Sequence, residues 1–270
     1  MIQRKEYCGL ENRKILVVDD VELNQYLARH IIESWGCEVK LAENGKESVD
    51  MLEAEDFDLI LMDIQMPVMD GIEATRNIRK IQDEWKSSTP IVALTANALV
   101  HEFDAYQQAG MNDCLPKPIH EPSLYNAIIK NIRQHKPTSM YNALPSETPA
   151  PVPIETEAKM YDLSLVESIS GGDQSFINKM LKLFLDTAPV TLVEMQKAAD
   201  ARDWVALSKL AHKLKSTVDS MGIVLLQQEI RKIETDGKQG HDVDHLPELV
   251  NKVEGIMAVV MQQVRKDHAL

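Results

Sequence analysis

The chain has 270 residues, enough for two domains of ordinary size that each bury a core. Its formal net charge of -13, with 44% hydrophobic and 26% charged residues, argues against binding nucleic acid or an anionic membrane, since both need basic patches. The cysteines Cys8, Cys37 and Cys114 are widely spaced and odd in number, which suggests reduced thiols and neither a disulfide framework nor a zinc site. No apolar run approaches the ~20 residues needed to span a bilayer, and the N-terminal stretch lacks the apolar segment of a secretory signal, so a cytoplasmic protein is expected.

From Lys14 to about Asn131 short apolar runs alternate with longer amphipathic ones. Runs at 15–18, 38–41, 59–62, 91–94 and 113–115 predict five strands, and stretches near 22–35, 45–54, 71–81, 98–109 and 120–133 predict helices. Mostly continuous apolar strands are buried on both faces, as in a parallel sheet sandwiched by helices. Five such units make a doubly wound α/β domain whose ligands sit at the carboxyl ends of the strands. Residues 136–159 exchange this pattern for Pro, Ser, Thr and Glu and read as a flexible linker. Its ends would lie roughly 25–30 Å apart as a random coil. Beyond Met160 no strand pattern returns. Amphipathic stretches near 162–169, 173–199, 203–220, 222–236 and 243–266, with breaks at Gly171–Gly172, Ala201–Asp203, Gly222 and Gly237–Gly240, predict an all-α antiparallel helical bundle. The expected organisation is a first domain over 12–135, the linker, and a second domain over 160–268.

Asp19 and Asp20 end the first predicted strand and Asp63 ends the third. Neighbouring strand ends converge, so the three carboxylates should crowd together and repel one another unless a cation sits among them or a pKa rises. Hard oxygen ligands with room for water point to Mg²⁺. Thr95 and Lys117 follow the fourth and fifth strands. A hydroxyl and an ammonium aimed at such a centre suit an incoming phosphoryl group, with Asp63 as nucleophile giving an acyl phosphate.

The pair Asp19-Asp20, the segment MDIQMPVMDG (62–71), LTANA (94–98) and Lys117-Pro118 resemble the motif set of bacterial response-regulator receiver domains, in order and spacing. The resemblance covers roughly 12–135. It implies a five-stranded flavodoxin-like fold with Asp63 as phosphoacceptor. It also implies direct Mg²⁺ ligation by Asp20, Asp63 and the Gln65 carbonyl, with Asp19 acting through water. Thr95 would be the hydroxyl switch, Lys117 the cation that pairs with phosphate, and Lys117–Pro118 a cis bond. Cys114 stands where the family commonly has Tyr or Phe, which favours a relay role over an aromatic-rotamer readout.

In the second domain Leu207, Leu210, Ala211, Leu214, Val218 and Met221 form a helical core stripe. Ser208, His212, Lys215, Ser216 and Asp219 fall on the opposite face, so His212 is expected to be exposed, with Lys215 one turn away. An imidazole there can attack a phosphoryl group while the lysine steadies its charge. Surface histidines are usually mere solvated side chains, and His30, His101, His120, His135, His241, His245 and His268 show no comparable context. The run Ala211-His-Lys-Leu-Lys-Ser-Thr-Val-Asp-Ser-Met-Gly222, with Phe184–Pro189 and Asp203-Trp204 before it, is similar to the signature of histidine phosphotransfer (HPt) domains over roughly 160–268. Ser216 replaces the usual glycine but is still small.

Together the two resemblances imply a two-component phosphorelay protein that exchanges phosphoryl groups between Asp63 and His212, in cis or with kinases, HPt and receiver domains of other proteins. No ATP-binding kinase core is visible, and the chain resembles the C-terminal part of a hybrid sensor histidine kinase or a free-standing receiver–HPt protein. A haloacid-dehalogenase-type phosphatase needs Asp-x-Asp, and here the run is Asp63-Ile-Gln65. A vestigial binding module would be expected to have lost the acidic pair or the lysine, and all are present.

Overall fold

The computed structural model describes residues 7–95, 100–132, 159–240 and 243–270. The linker expected over 136–159 lies outside the described residues except for Lys159, as do residues 96–98 of the LTANA segment, His135 and His241.

The first domain holds β1 (Lys14–Val18), β2 (Glu38–Ala42), β3 (Leu59–Asp63), β4 (Ile91–Thr95) and β5 (Asp113–Pro116), paired in parallel in the order β2-β1-β3-β4-β5. Its helices are α1 (Glu22–Ser34), α2 (Gly45–Ala54), α3 (Gly71–Ile78), α4 (Glu84–Ser87), α5 (Val100–Ala109) and α6 (Glu121–Asn131). β3 and β4 are buried along their whole length, as their unbroken apolar runs require. Ile15, Val17, Leu59, Leu61, Val92 and Leu94 face one apolar layer and Leu16, Val18, Ile60, Met62, Ile91 and Ala93 face the other. Side-chain caps set the helix starts: Asn44 accepts from the Glu47 N–H ahead of α2, and Asp70 from the Glu73 N–H ahead of α3. The short α4 was not expected. Its sequence has no apolar stripe, and Asp83 starts it by accepting from the N–H groups of Trp85 and Lys86.

The second domain is all-α: α7 (Ser164–Ser170), α8 (Gln174–Asp200), α9 (Trp204–Ser220), a 3-10 turn (Val224–Leu226), α10 (Gln227–Gln239) and α11 (Leu246–His268). Asp173 and Asp203 cap α8 and α9. The break expected at Gly237 is absent, because α10 runs through it and ends at Gly240 in the left-handed region, φ 68°. Gly237 serves instead as a point of close approach. A Cβ there would lie 2.8 Å from the Trp204 carbonyl oxygen, so its absence lets α10 settle against α9. Helix α1 of the first domain packs on α8 and α9, and one continuous apolar cluster runs through both domains. Among the described residues no helix is long and apolar enough to cross a membrane.

Candidate functional site

Parallel register brings the chemistry to one edge of the sheet. Val18 pairs with Met62 and Asp63 with Leu94, so Asp19, Asp63 and Thr95 sit side by side where β1, β3 and β4 end. Ligand oxygens of Asp19, Asp20 and Asp63 lie within 4.8 Å of one another. Lys117, after β5, lies with Nζ 2.7 Å from both Asp19 Oδ2 and Asp63 Oδ2. Its backbone N–H donates to the Thr95 carbonyl at 2.7 Å, and the Lys117–Pro118 bond is cis. The other oxygen of Asp19 accepts from the Val21 N–H at 2.9 Å and from Asn24 Nδ2 at 3.1 Å. Gln65 lies two residues beyond Asp63, in the exposed loop leading to α3.

Electrostatics follow from this crowding. Burial raises the Asp63 carboxyl, and the Asp19 charge adds to that while Lys117 opposes it. Asp20 is pushed up to about 6 by burial and by the charges of Asp19 and Asp63, with Lys213 and Lys117 pulling the other way. Burial works against the Lys117 ammonium, but Asp19 and Asp63 outweigh it and raise its pKa. Three acids and one ammonium leave negative charge to be neutralised, and the oxygen donor set fits a hard divalent cation. The Gly71 backbone closes the floor, since a Cβ there would lie 2.1 Å from the Asp63 carbonyl oxygen. Thr95 Oγ1 lies 3.2 Å from the hydroxyl of Tyr106 on α5, a buried aromatic outside the motifs read from the sequence.

His212 is not exposed as expected. It is 8% exposed, and Ser208, Lys215 and Ser216 on the same side of α9 are equally covered. The core stripe was correctly placed, but other elements close over the polar side of the helix. From α10, Glu234 presents Oε1 to His212 Nδ1 at 2.6 Å and Oε2 to Lys215 Nζ at 2.5 Å. Ser208 Oγ donates to the Glu234 carbonyl at 2.7 Å. Burial raises the Glu234 carboxyl, yet the hydrogen bonds from His212 and Lys215 prevail and hold it at about 2. An ionised carboxylate can only accept, so Nδ1 of His212 donates to it and Nε2 is the ring nitrogen that Glu234 leaves free. Next along α9, Lys213 faces the first domain, where its charge pulls against the raised pKa of Asp20. A cleft of ≈ 360 Å³ at this junction is lined by Asp20, Glu22 and Gln25 on one side and Asp186, Thr191 and Lys213 on the other.

Residues 15–129 match the response regulator receiver domain and residues 179–263 the Hpt domain. The chain is 32% identical over 246 residues to the sensor protein GacS of Pseudomonas syringae pv. syringae, which spans 89% of this chain and 26% of that protein. It is 30% identical over 222 residues to the aerobic respiration control sensor protein ArcB of Escherichia coli K12, spanning 82% of this chain and 27% of ArcB. The chain thus spans about a quarter of the length of the curated relatives it matches. Among solved structures it is similar to the receiver domain of sensor histidine kinase PA1611 from Pseudomonas aeruginosa PAO1, described with a magnesium ion coordinated in its active site cleft. That match has 39% identity and a TM-score of 0.41, and covers 44% of this chain and 96% of the other.

Proposed function

Since the chain is a response regulator receiver domain followed by an Hpt domain, we propose that it is a phosphorelay intermediate in which Asp63 accepts a phosphoryl group and His212 exchanges it. The observation that carries this reading is the convergence of two prepared groups. Asp63 lies under Lys117 in an acidic pocket, and His212 is held by Glu234 on α9, the helix that packs on α1 and faces that pocket through Lys213.

In the first step an Asp63 oxygen attacks the phosphorus of a donor, and the donor's bond to phosphorus breaks with its electron pair leaving on the donor. Lys117 takes up charge on the phosphoryl oxygens and Thr95 hydrogen-bonds one of them. Asp20, Asp63 and the Gln65 carbonyl would hold Mg²⁺, with Asp19 acting through water, and when bound the ion supplies further neutralisation of phosphoryl charge. In the second step the Nε2 lone pair of His212 forms a bond to phosphorus as the bond to Asp63 breaks and its electron pair returns to the carboxylate. The Nδ1 hydrogen stays on the side of Glu234, so no proton must move. Lys215 lies one turn from His212, where it can balance the charge of the phosphorylated ring.

We assign 12–135 to the receiver, 136–159 to a linker and 160–268 to the transfer domain. The partners of this reading are histidine kinases and the receiver or HPt domains of other signalling proteins, in the cytoplasm. The test is incubation with acetyl phosphate and Mg²⁺, then acid- and base-stability of the label in wild type, Asp63→Ala and His212→Gln. Acid-stable label on Asp63 and acid-labile label on His212 are expected. His212 labelling that is unchanged in Asp63→Ala would overturn the relay.

A further inference from the structure

The two domains meet through an aromatic clasp that the chemistry above does not use. Phe176, in the first turn of α8, is 2% exposed although it lies at the end of its helix. Rings of the first domain cover it: His30 of α1 stacks on it with centroids 3.9 Å apart, and Tyr26 of α1 stacks at 5.1 Å. Lys179, one turn along α8, sets its ammonium 4.9 Å from the Tyr26 ring centre. Tyr26 and His30 are one turn apart, so both project from the same outward side of α1. A desolvated aromatic anchor with a cation at its rim has the anatomy of an interface hot spot. Elsewhere in the same junction opposite charges meet, with Lys213 of α9 facing the acidic pocket at Asp20.

We propose that Phe176, clasped by Tyr26 and His30, is a docking joint that seats this chain's own receiver over His212 and shuts out any second receiver until the joint opens. The linker keeps the two halves at an effective concentration on the order of millimolar, so a free competitor must displace a tethered one. The observation behind the exclusion is the 8% exposure of His212, next along α9 to Lys213, which lines the junction with the first domain opposite Asp20. The occupant of the joint is thus fixed as the α1 surface of the same chain. That a second receiver would compete for it rests on the phosphorelay reading; that His212 is covered does not.

The full-length chain tests both parts. Diethyl pyrocarbonate modifies accessible neutral imidazoles, and peptide mass spectrometry reads each site, with the exposed His120 as internal reference. Slow modification of His212 relative to His120 is expected in wild type, with a rise of about fivefold or more when Tyr26→Ser or Phe176→Ala loosens the joint, in keeping with the cost of losing an interface anchor. Tyr26 lies on the outer side of α1, away from the receiver core, so its substitution keeps the test valid if Phe176→Ala disturbs α8. In a second arm, a copy carrying His212→Gln is labelled at Asp63 with acetyl phosphate and Mg²⁺ and mixed with an acceptor carrying Asp63→Ala. Adding Tyr26→Ser to the acceptor alone weakens self-docking but leaves the incoming α1 surface intact, so uptake of label should accelerate. His212 that reacts as fast in wild type as in both variants overturns the joint, and so does uptake indifferent to Tyr26→Ser. Absence of label from Asp63 in the donor overturns the relay reading instead, and the modification rates then decide the joint alone.

Discussion

Glu234 and His212, on adjacent helices of the bundle, meet at 2.6 Å between Oε1 and Nδ1. The contact fixes both the tilt of the ring and which nitrogen bears the hydrogen. Replacing Glu234 with Ala is expected to slow transfer from Asp63 to His212 by about tenfold or more, equivalent to ~1.4 kcal/mol or more of barrier. Glu234→Gln, which keeps an acceptor oxygen but loses the charge that holds Lys215, should fall between. Single-turnover transfer of label measures this. Equal rates in all three proteins would reduce the contact to a matter of bundle packing.

The same carboxylate governs acid stability. Its pKa in the fold, about 2, lies below its ordinary value of 4.5, so the folded chain favours the ionised form more than the unfolded chain does. The stabilisation is complete above the ordinary value and is lost as pH falls toward about 2. Thermal melting of wild type and Glu234→Gln should therefore differ most near neutrality and converge in acid.

The receiver has the opposite dependence. Asp20 is raised to about 6 from 3.8, so the folded form prefers the protonated acid, and that preference is lost as pH rises through about 6. In chelator, the first domain should melt at lower temperature at neutral pH than in mild acid. Mg²⁺ at neutral pH should restore the loss in a concentration-dependent way, as for any ligand bound only by the native state. Asp20→Asn should be more stable than wild type in chelator and blind to Mg²⁺. A melt unaffected by Mg²⁺ in wild type would count against the metal assignment.

Gly71 lets α3 begin directly against the backbone of Asp63. Because a Cβ would come within 2.1 Å of the Asp63 carbonyl oxygen, Gly71→Ala must move β3 or α3. A loss of about 1–3 kcal/mol in denaturant unfolding is expected, the usual range for overpacking. Asp63 labelling by acetyl phosphate should drop with it.

Removing the Tyr106 hydroxyl should act more mildly. It lies buried, 3.2 Å from Thr95 Oγ1. Tyr106→Phe is expected to cost ~1 kcal/mol, the typical worth of one such hydrogen bond, read from the shift of the urea midpoint at constant slope.

The centre of the sheet was legible because β1, β3 and β4 are short apolar runs buried on both faces, whereas the edge strands β2 and β5 mix charged with apolar residues and are only partly buried. Asp19, Asp63, Thr95 and Lys117 could be grouped from sequence because parallel strands deliver their ends to one edge. The helical domain was legible in its elements but not in its surfaces. Periodicity separates the core stripe of α9 from its polar side, but says nothing about what closes over that side, and so His212 was misjudged. Glu234 went unnoticed because it is 22 residues away on a helix of low overall hydrophobicity. Its only signal was position, a charge at the margin of the stripe formed by Ile230, Ile233 and Gly237.

The bare hydrogen at position 237 sets the distance between two helices, and with it the reach of a carboxylate across the gap. The orientation of the imidazole is therefore set by tertiary structure and is not inherent in its sequence neighbours. A peptide containing α9 alone would keep the side chain but lose its orientation. Phosphotransfer competence in this chain should thus vanish with the first loosening of α10, before any helix melts, which makes it a sensitive gauge of whether the bundle is intact.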